Sequence, residues 1–103
     1  MLGTILIVDD DIGVLDTVRL VLAREGYDTL TASGGHMAMQ LMATEDTATT
    51  VCTLVCDLEM SHVSRKELIE HFRTYVPSIP IIVMSGASDM VFMDGIVQQG
   101  VCN

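Results

Sequence analysis

Three consecutive aspartates, Asp9, Asp10 and Asp11, follow the apolar run Ile5-Leu6-Ile7-Val8, and a fourth, Asp57, ends a second apolar run, VCTLVC, that begins at Val51. One Asp at the mouth of a buried strand is a helix cap, because its side chain accepts from the open amides of the first turn. Three need another cause. Bare carboxylates gathered in one place repel and raise each other's pKa. A hard divalent cation removes the conflict, and Mg²⁺ suits a site with one or two carboxylates, retained waters and a phosphoryl oxygen. That chemistry asks for Asp9, Asp10 and Asp57 to converge, and leaves Asp11 as a cap or an outer charge.

A further group could serve the same chemistry. In the stretch MSGAS, Ser85 ends an apolar run and Gly86 permits close backbone approach. In register with Asp57 they can supply a hydroxyl and an amide to a phosphoryl group. The first loop, DDDIG, lacks the glycine-rich run whose backbone amides cradle a nucleotide phosphate, and its charge would repel one. His36, His62 and His71 share no metal-ligand spacing and are expected in surface or loop roles. Clustered methionines such as Met37, Met39 and Met42 are expected to fill core gaps.

The elements that must position these groups can be read from apolar periodicity. Ile5 to Val8, Thr29 to Ala32, Val51 to Cys56 and Ile81 to Met84 have strand character, and each is followed by a helical pattern. The first helix carries Val14, Leu15, Val18 and Leu22, with Gly26 as its stop; Ser33 can cap the second, which carries Ala38, Leu41 and Met42. The third presents Leu68, Ile69, Phe72 and Tyr75 and ends before Pro77, since the residue before a proline avoids the helical region. A fourth, capped by Ser88, bears Val91, Phe92 and Ile96 and closes at Gly100. Strands alternating with helices imply right-handed βαβ units and a parallel sheet covered on both faces. The expected class is therefore α/β, an open doubly wound sheet. If strands one and three are neighbours, as in the flavodoxin-like order 2-1-3-4-5, the carboxylates meet at the carboxyl ends of the strands, where such folds place function. The pattern reaches Val101-Cys102-Asn103 where a fifth strand would begin, so the last strand and helix are expected to be largely missing.

With 103 residues the chain is read as a single domain, 1–103. Its 14 acidic and 5 basic residues give a net charge of −9, which disfavours direct nucleic-acid binding. No apolar run approaches the ~18 residues of a membrane span, and no signal peptide is apparent, so a cytoplasmic location is expected. Cys52, Cys56 and Cys102 fit a reducing compartment as small buried hydrophobes, Cys52 and Cys56 being too far apart along one strand for a disulfide.

Taken together, the aspartate pair in VDD, the VCDLEM segment, the IPIIVMSG strand and the ending QQGVCN make the chain resemble a response-regulator receiver domain of two-component signalling, similar to the chemotaxis regulators, from about Thr4 to Asn103. The resemblance implies a phosphoacceptor at Asp57, direct Mg²⁺ ligands at Asp10 and Asp57, and Asp9 acting mainly through water. It also implies a backbone carbonyl ligand at Glu59, and a phosphoryl-binding pair at Ser85 and Gly86. The implied activity is transfer of a phosphoryl group from a sensor histidine kinase or phosphotransfer protein onto Asp57, followed by a conformational switch that controls an output domain. That is self-phosphorylation, not the turnover of an enzyme. Where the family usually has Pro and Gly after the phosphoacceptor, Ser61 and Arg65 stand here; the family's strand-five lysine has no counterpart, Lys66 being expected as an exposed helix residue. These departures motivate an alternative, a pseudo-receiver used for docking or dimerisation without phosphorylation. Loss of the fifth strand would leave strand four as an apolar edge and favour a homo-oligomer.

Overall fold

A computed structural model describes residues 3–57 and 65–84. Within them the order is β1 (Thr4–Val8), α1 (Ile12–Arg24), β2 (Asp28–Ala32), α2 (Gly35–Met42), α3 (Glu45–Thr50), β3 (Val51–Asp57), α4 (Arg65–Tyr75) and β4 (Ile81–Met84). The four strands form one parallel sheet in the order β2-β1-β3-β4, so β1 and β3 are neighbours as the flavodoxin-like order requires. The predicted helix from Ser88 to Gly100 and the residues Val101 and Cys102 lie outside the described residues.

Branched apolar side chains make β1 and β3 central. Ile5, Leu6, Ile7, Val8, Leu54 and Val55 are all fully buried, as expected of strands covered on both faces. Alternation divides them between two cores. On one face Ile5, Ile7 and Val55 pack with Leu15, Val18 and Leu22 of α1. On the other, Leu6, Val8, Leu54 and Cys56 pack with Ala38 and Met42 of α2 and Leu68 and Phe72 of α4. The β1–β3 register shifts after Thr4, which pairs with Val51 while Ile5 pairs with Thr53. Cys52 is the extra residue of this bulge.

The helix ends follow local chemistry. The α1 C-terminus closes as a Schellman turn: Gly26, at φ 93°, donates to the Ala23 carbonyl at 3.1 Å, and Tyr27 donates to that of Leu22 at 3.1 Å. Glycine suits this place because a Cβ strains the left-handed backbone. Four expectations need correction. Met37 is exposed and fills no core gap. Ser33 does not cap α2; Gly34 stands at the N-cap without a side-chain bond, and Ser33 Oγ donates instead to Met37 Sδ at 3.7 Å. Tyr75 does not join the core but is 71% exposed, its ring tilted against His71 with centroids 4.8 Å apart. Cys56 is a free buried thiol as expected, whereas Cys52 is only half-buried, its Sγ against the Thr4 carbonyl at 3.2 Å. Among the described residues, no helix is long and apolar enough to cross a membrane.

Candidate metal and phosphoryl site

The sheet register delivers the acidic residues to one place. Val8 pairs with Ala32 on one side and Cys56 on the other, so the residues that follow Val8 and Cys56, Asp9 and Asp57, emerge side by side. Asp9 extends the pairing by donating its amide to the Ala32 carbonyl at 3.1 Å. One carboxylate oxygen from each of Asp9, Asp10 and Asp57 lies within 4.8 Å of the others. These are three of the residues named from the sequence, brought together from two strand ends.

Their environments differ. Asp9 is fully buried, Asp57 half-buried and Asp10 exposed. Asp9 Oδ1 accepts from the Asp11 amide at 2.9 Å, while Oδ2 is buried and accepts no hydrogen bond among the described residues. Burial pushes the Asp9 carboxyl from 3.8 to about 6, the Asp11 amide opposes this, and the nearby Asp57 and Asp10 carboxyls add to it. In the acid form Asp9 has the Asp57 carboxyl to share its proton with. An acid held this way takes up either a proton or a cation.

Asp11 has the role of cap. Its side chain accepts from Gly13 N at 2.8 Å and Val14 N at 3.3 Å, satisfying two open amides of the first turn of α1. The acidic run thus divides between a buried ligand group, an exposed one and a helix cap.

Glu59, Ser85 and Gly86 lie outside the described residues, as do Ser61 and His62. Within the described residues β4 reaches Met84, the register partner of Asp57, at the level of the carboxylates. His36 is exposed and His71 half-buried, and neither joins a metal-ligating group among the described residues. What sequence reasoning missed is the unpartnered Asp9 oxygen and the Asp11 amide that fixes its companion. A triple Asp immediately before a helix is the available signal for the second.

The response regulator receiver domain family matches residues 5–102. The chain belongs to that family. Its receiver sequence is 29% identical over 97 residues to the transcriptional regulatory protein GlrR of Escherichia coli (strain K12), covering 94% of this chain and 21% of GlrR. The chain thus spans about a fifth of the length of the curated relatives it matches. Among solved structures, the receiver domain of the hybrid histidine kinase CckA is 25% identical with a TM-score of 0.78, covering 96% of this chain and 99% of that one. A chain from the complex of histidine kinase ThkA with response regulator TrrA is 25% identical with a TM-score of 0.71, covering 82% of this chain and 69% of that one. This chain is therefore a receiver domain of two-component signal transduction, built on one parallel sheet.

Proposed function

We propose that this receiver domain accepts a phosphoryl group on Asp57 with Mg²⁺ held by Asp9, Asp10 and Asp57. The observation that supports it most is the buried Asp9 oxygen without a partner, set among three carboxylates within 4.8 Å of one another. Such a donor set, all hard oxygens of one sign, suits a hard divalent cation. In this reading Glu59 adds its backbone carbonyl to the cation, and Ser85 and Gly86 bind the phosphoryl oxygens.

Asp57 is the nucleophile in this reading because it ends a rigid central strand and is half-buried, open to a donor, whereas Asp9 is sealed. A carboxylate oxygen of Asp57 forms a bond to phosphorus as the P–N bond of a phosphohistidine breaks, and the electron pair returns to an imidazole already protonated at its other ring nitrogen. The product is an acyl phosphate and a neutral histidine. When bound, Mg²⁺ neutralises the charge that accumulates between the carboxylates and the phosphoryl oxygens. Asp9 and Asp10 orient and compensate; positioning and charge carry most of such a transfer.

The donor in this reading is a sensor histidine kinase or a phosphotransfer protein, consistent with the ThkA–TrrA complex among the structural relatives. The phosphoryl group then biases a two-state equilibrium that an output domain senses, and the setting is cytoplasmic. The test is incubation with acetyl phosphate with and without Mg²⁺. A Mg²⁺-dependent mass gain of one phosphoryl group, absent in Asp57→Asn, is the expected result. No gain, or a gain that survives Asp57→Asn, overturns the reading in favour of a docking module that is not phosphorylated.

A further inference from the structure

Asp11 is bonded in four directions. Its carboxylate accepts from Gly13 N at 2.8 Å and Val14 N at 3.3 Å, its carbonyl accepts from Leu15 N at 3.1 Å, and its amide donates to Asp9 Oδ1 at 2.9 Å. Three of these bonds belong to the first turn of α1, which is itself anchored by buried Leu15 and Val18. The fourth reaches back to the buried carboxyl. A rigid helix start therefore fixes the peptide that holds one oxygen of Asp9, and the other, Oδ2, is left as the oxygen that can take a ligand.

We propose that Asp11 is a positioning residue of the cation site, its helix-capping carboxylate locking the amide that orients Asp9. The proposal rests on the reading of Asp9, Asp10 and Asp57 as cation ligands. Groups that hydrogen-bond a metal ligand restrict its rotation, and their loss typically weakens metal binding about 10- to 100-fold. Here the amide persists and only its support is lost, so the low end applies. Asp11 is exposed; its charge, screened by 0.15 M salt, accounts for about two- to threefold at most. Capping and charge are thus separable, because asparagine caps as well as aspartate.

Mg²⁺ titration by calorimetry on the full chain, at 0.15 M salt, compares the wild type with Asp11→Ala and Asp11→Asn, each first checked for folding by circular dichroism. The expected result is about a tenfold weaker Kd for Asp11→Ala and one within about threefold of wild type for Asp11→Asn. An unchanged Kd in Asp11→Ala overturns the proposal, as does an Asp11→Asn protein as weak as Asp11→Ala, which assigns the effect to charge. If Asp11→Ala does not fold, hydrogen exchange of the Asp11 amide in the metal-free wild type decides: protection supports the lock and rapid exchange overturns it. A wild type that binds no Mg²⁺ overturns the cation-site reading itself and this proposal with it.

Discussion

The cost of burying Asp9 makes a direct thermodynamic prediction. A carboxyl raised from 3.8 to about 6 holds its proton about 3 kcal/mol more tightly in the folded chain than in the unfolded one. Between those pH values the native state binds more protons than the unfolded state, so stability falls as pH rises. The penalty is absent below 3.8 and complete above about 6. Worked through the linkage relation, it is about 1.5 kcal/mol at pH 5 and about 3 kcal/mol at pH 7.5. Asp9→Asn removes the charge, keeps an acceptor for the Asp11 amide, and offers the Asp57 carboxylate a donor. In EDTA the variant should gain on the wild type by about 1.5 kcal/mol between pH 5 and pH 7.5, whatever constant offset the substitution carries. Urea unfolding at both pH values measures this. Saturating Mg²⁺, at 100 times the wild-type Kd, should add about 2.7 kcal/mol to the wild type and clearly less to Asp9→Asn, which keeps only Asp10 and Asp57. A stability gap that does not change with pH refutes the burial argument, and equal Mg²⁺ stabilisation refutes Asp9 as a ligand.

The same carboxyl should make Mg²⁺ binding proton-competitive: affinity falls by up to about tenfold per pH unit below pH 6, with protons released on binding, and calorimetry in two buffers of different ionisation enthalpy measures both. Phe72 is fully buried between α4 and the sheet, so Phe72→Ala should cost about 3 to 5 kcal/mol in urea unfolding. Gly26→Ala places a Cβ at φ 93° and should cost about 1 kcal/mol, read as a lower thermal midpoint with Mg²⁺ affinity unchanged.

How legible was this in the sequence? The strands were readable almost to the residue, because Ile5 to Val8 and Val51 to Cys56 are apolar on both faces and have no other stable home in a domain of this size. Their order was readable because functional carboxylates at two strand ends make sense only if β1 and β3 are neighbours. Helix α3 was not: EDTATT has no apolar stripe, and it is held locally, by Thr44 Oγ1 accepting from Thr47 N at 3.4 Å and by the Thr49 and Thr50 hydroxyls donating to the Asp46 carbonyl at 3.0 Å. Ser33 satisfies the capping rule one place too early, and the Gly34-Gly35 pair gives no pattern that locates the helix start. Tyr75 has the spacing of the Leu68–Phe72 stripe but is the last residue of α4 and is exposed. The bulge at Cys52 changes no side-chain type and leaves no trace in the sequence. At the site, residue types gave the membership of Asp9, Asp10 and Asp57, but three adjacent aspartates look alike. Which one is sealed, which is exposed and which caps α1 depends on where β1 stops and α1 begins.

In the proposed function Asp57 carries the phosphoryl group while Asp9 and Asp10 serve the cation. Treating the protein with acetyl phosphate and Mg²⁺, reducing it with borohydride and mapping the peptides locates the acyl phosphate directly, because hydride converts a phosphorylated aspartate to homoserine. Homoserine is expected at position 57 alone, and none without Mg²⁺. Homoserine at position 9 or 10 instead, or none anywhere with Mg²⁺ present, would contradict it.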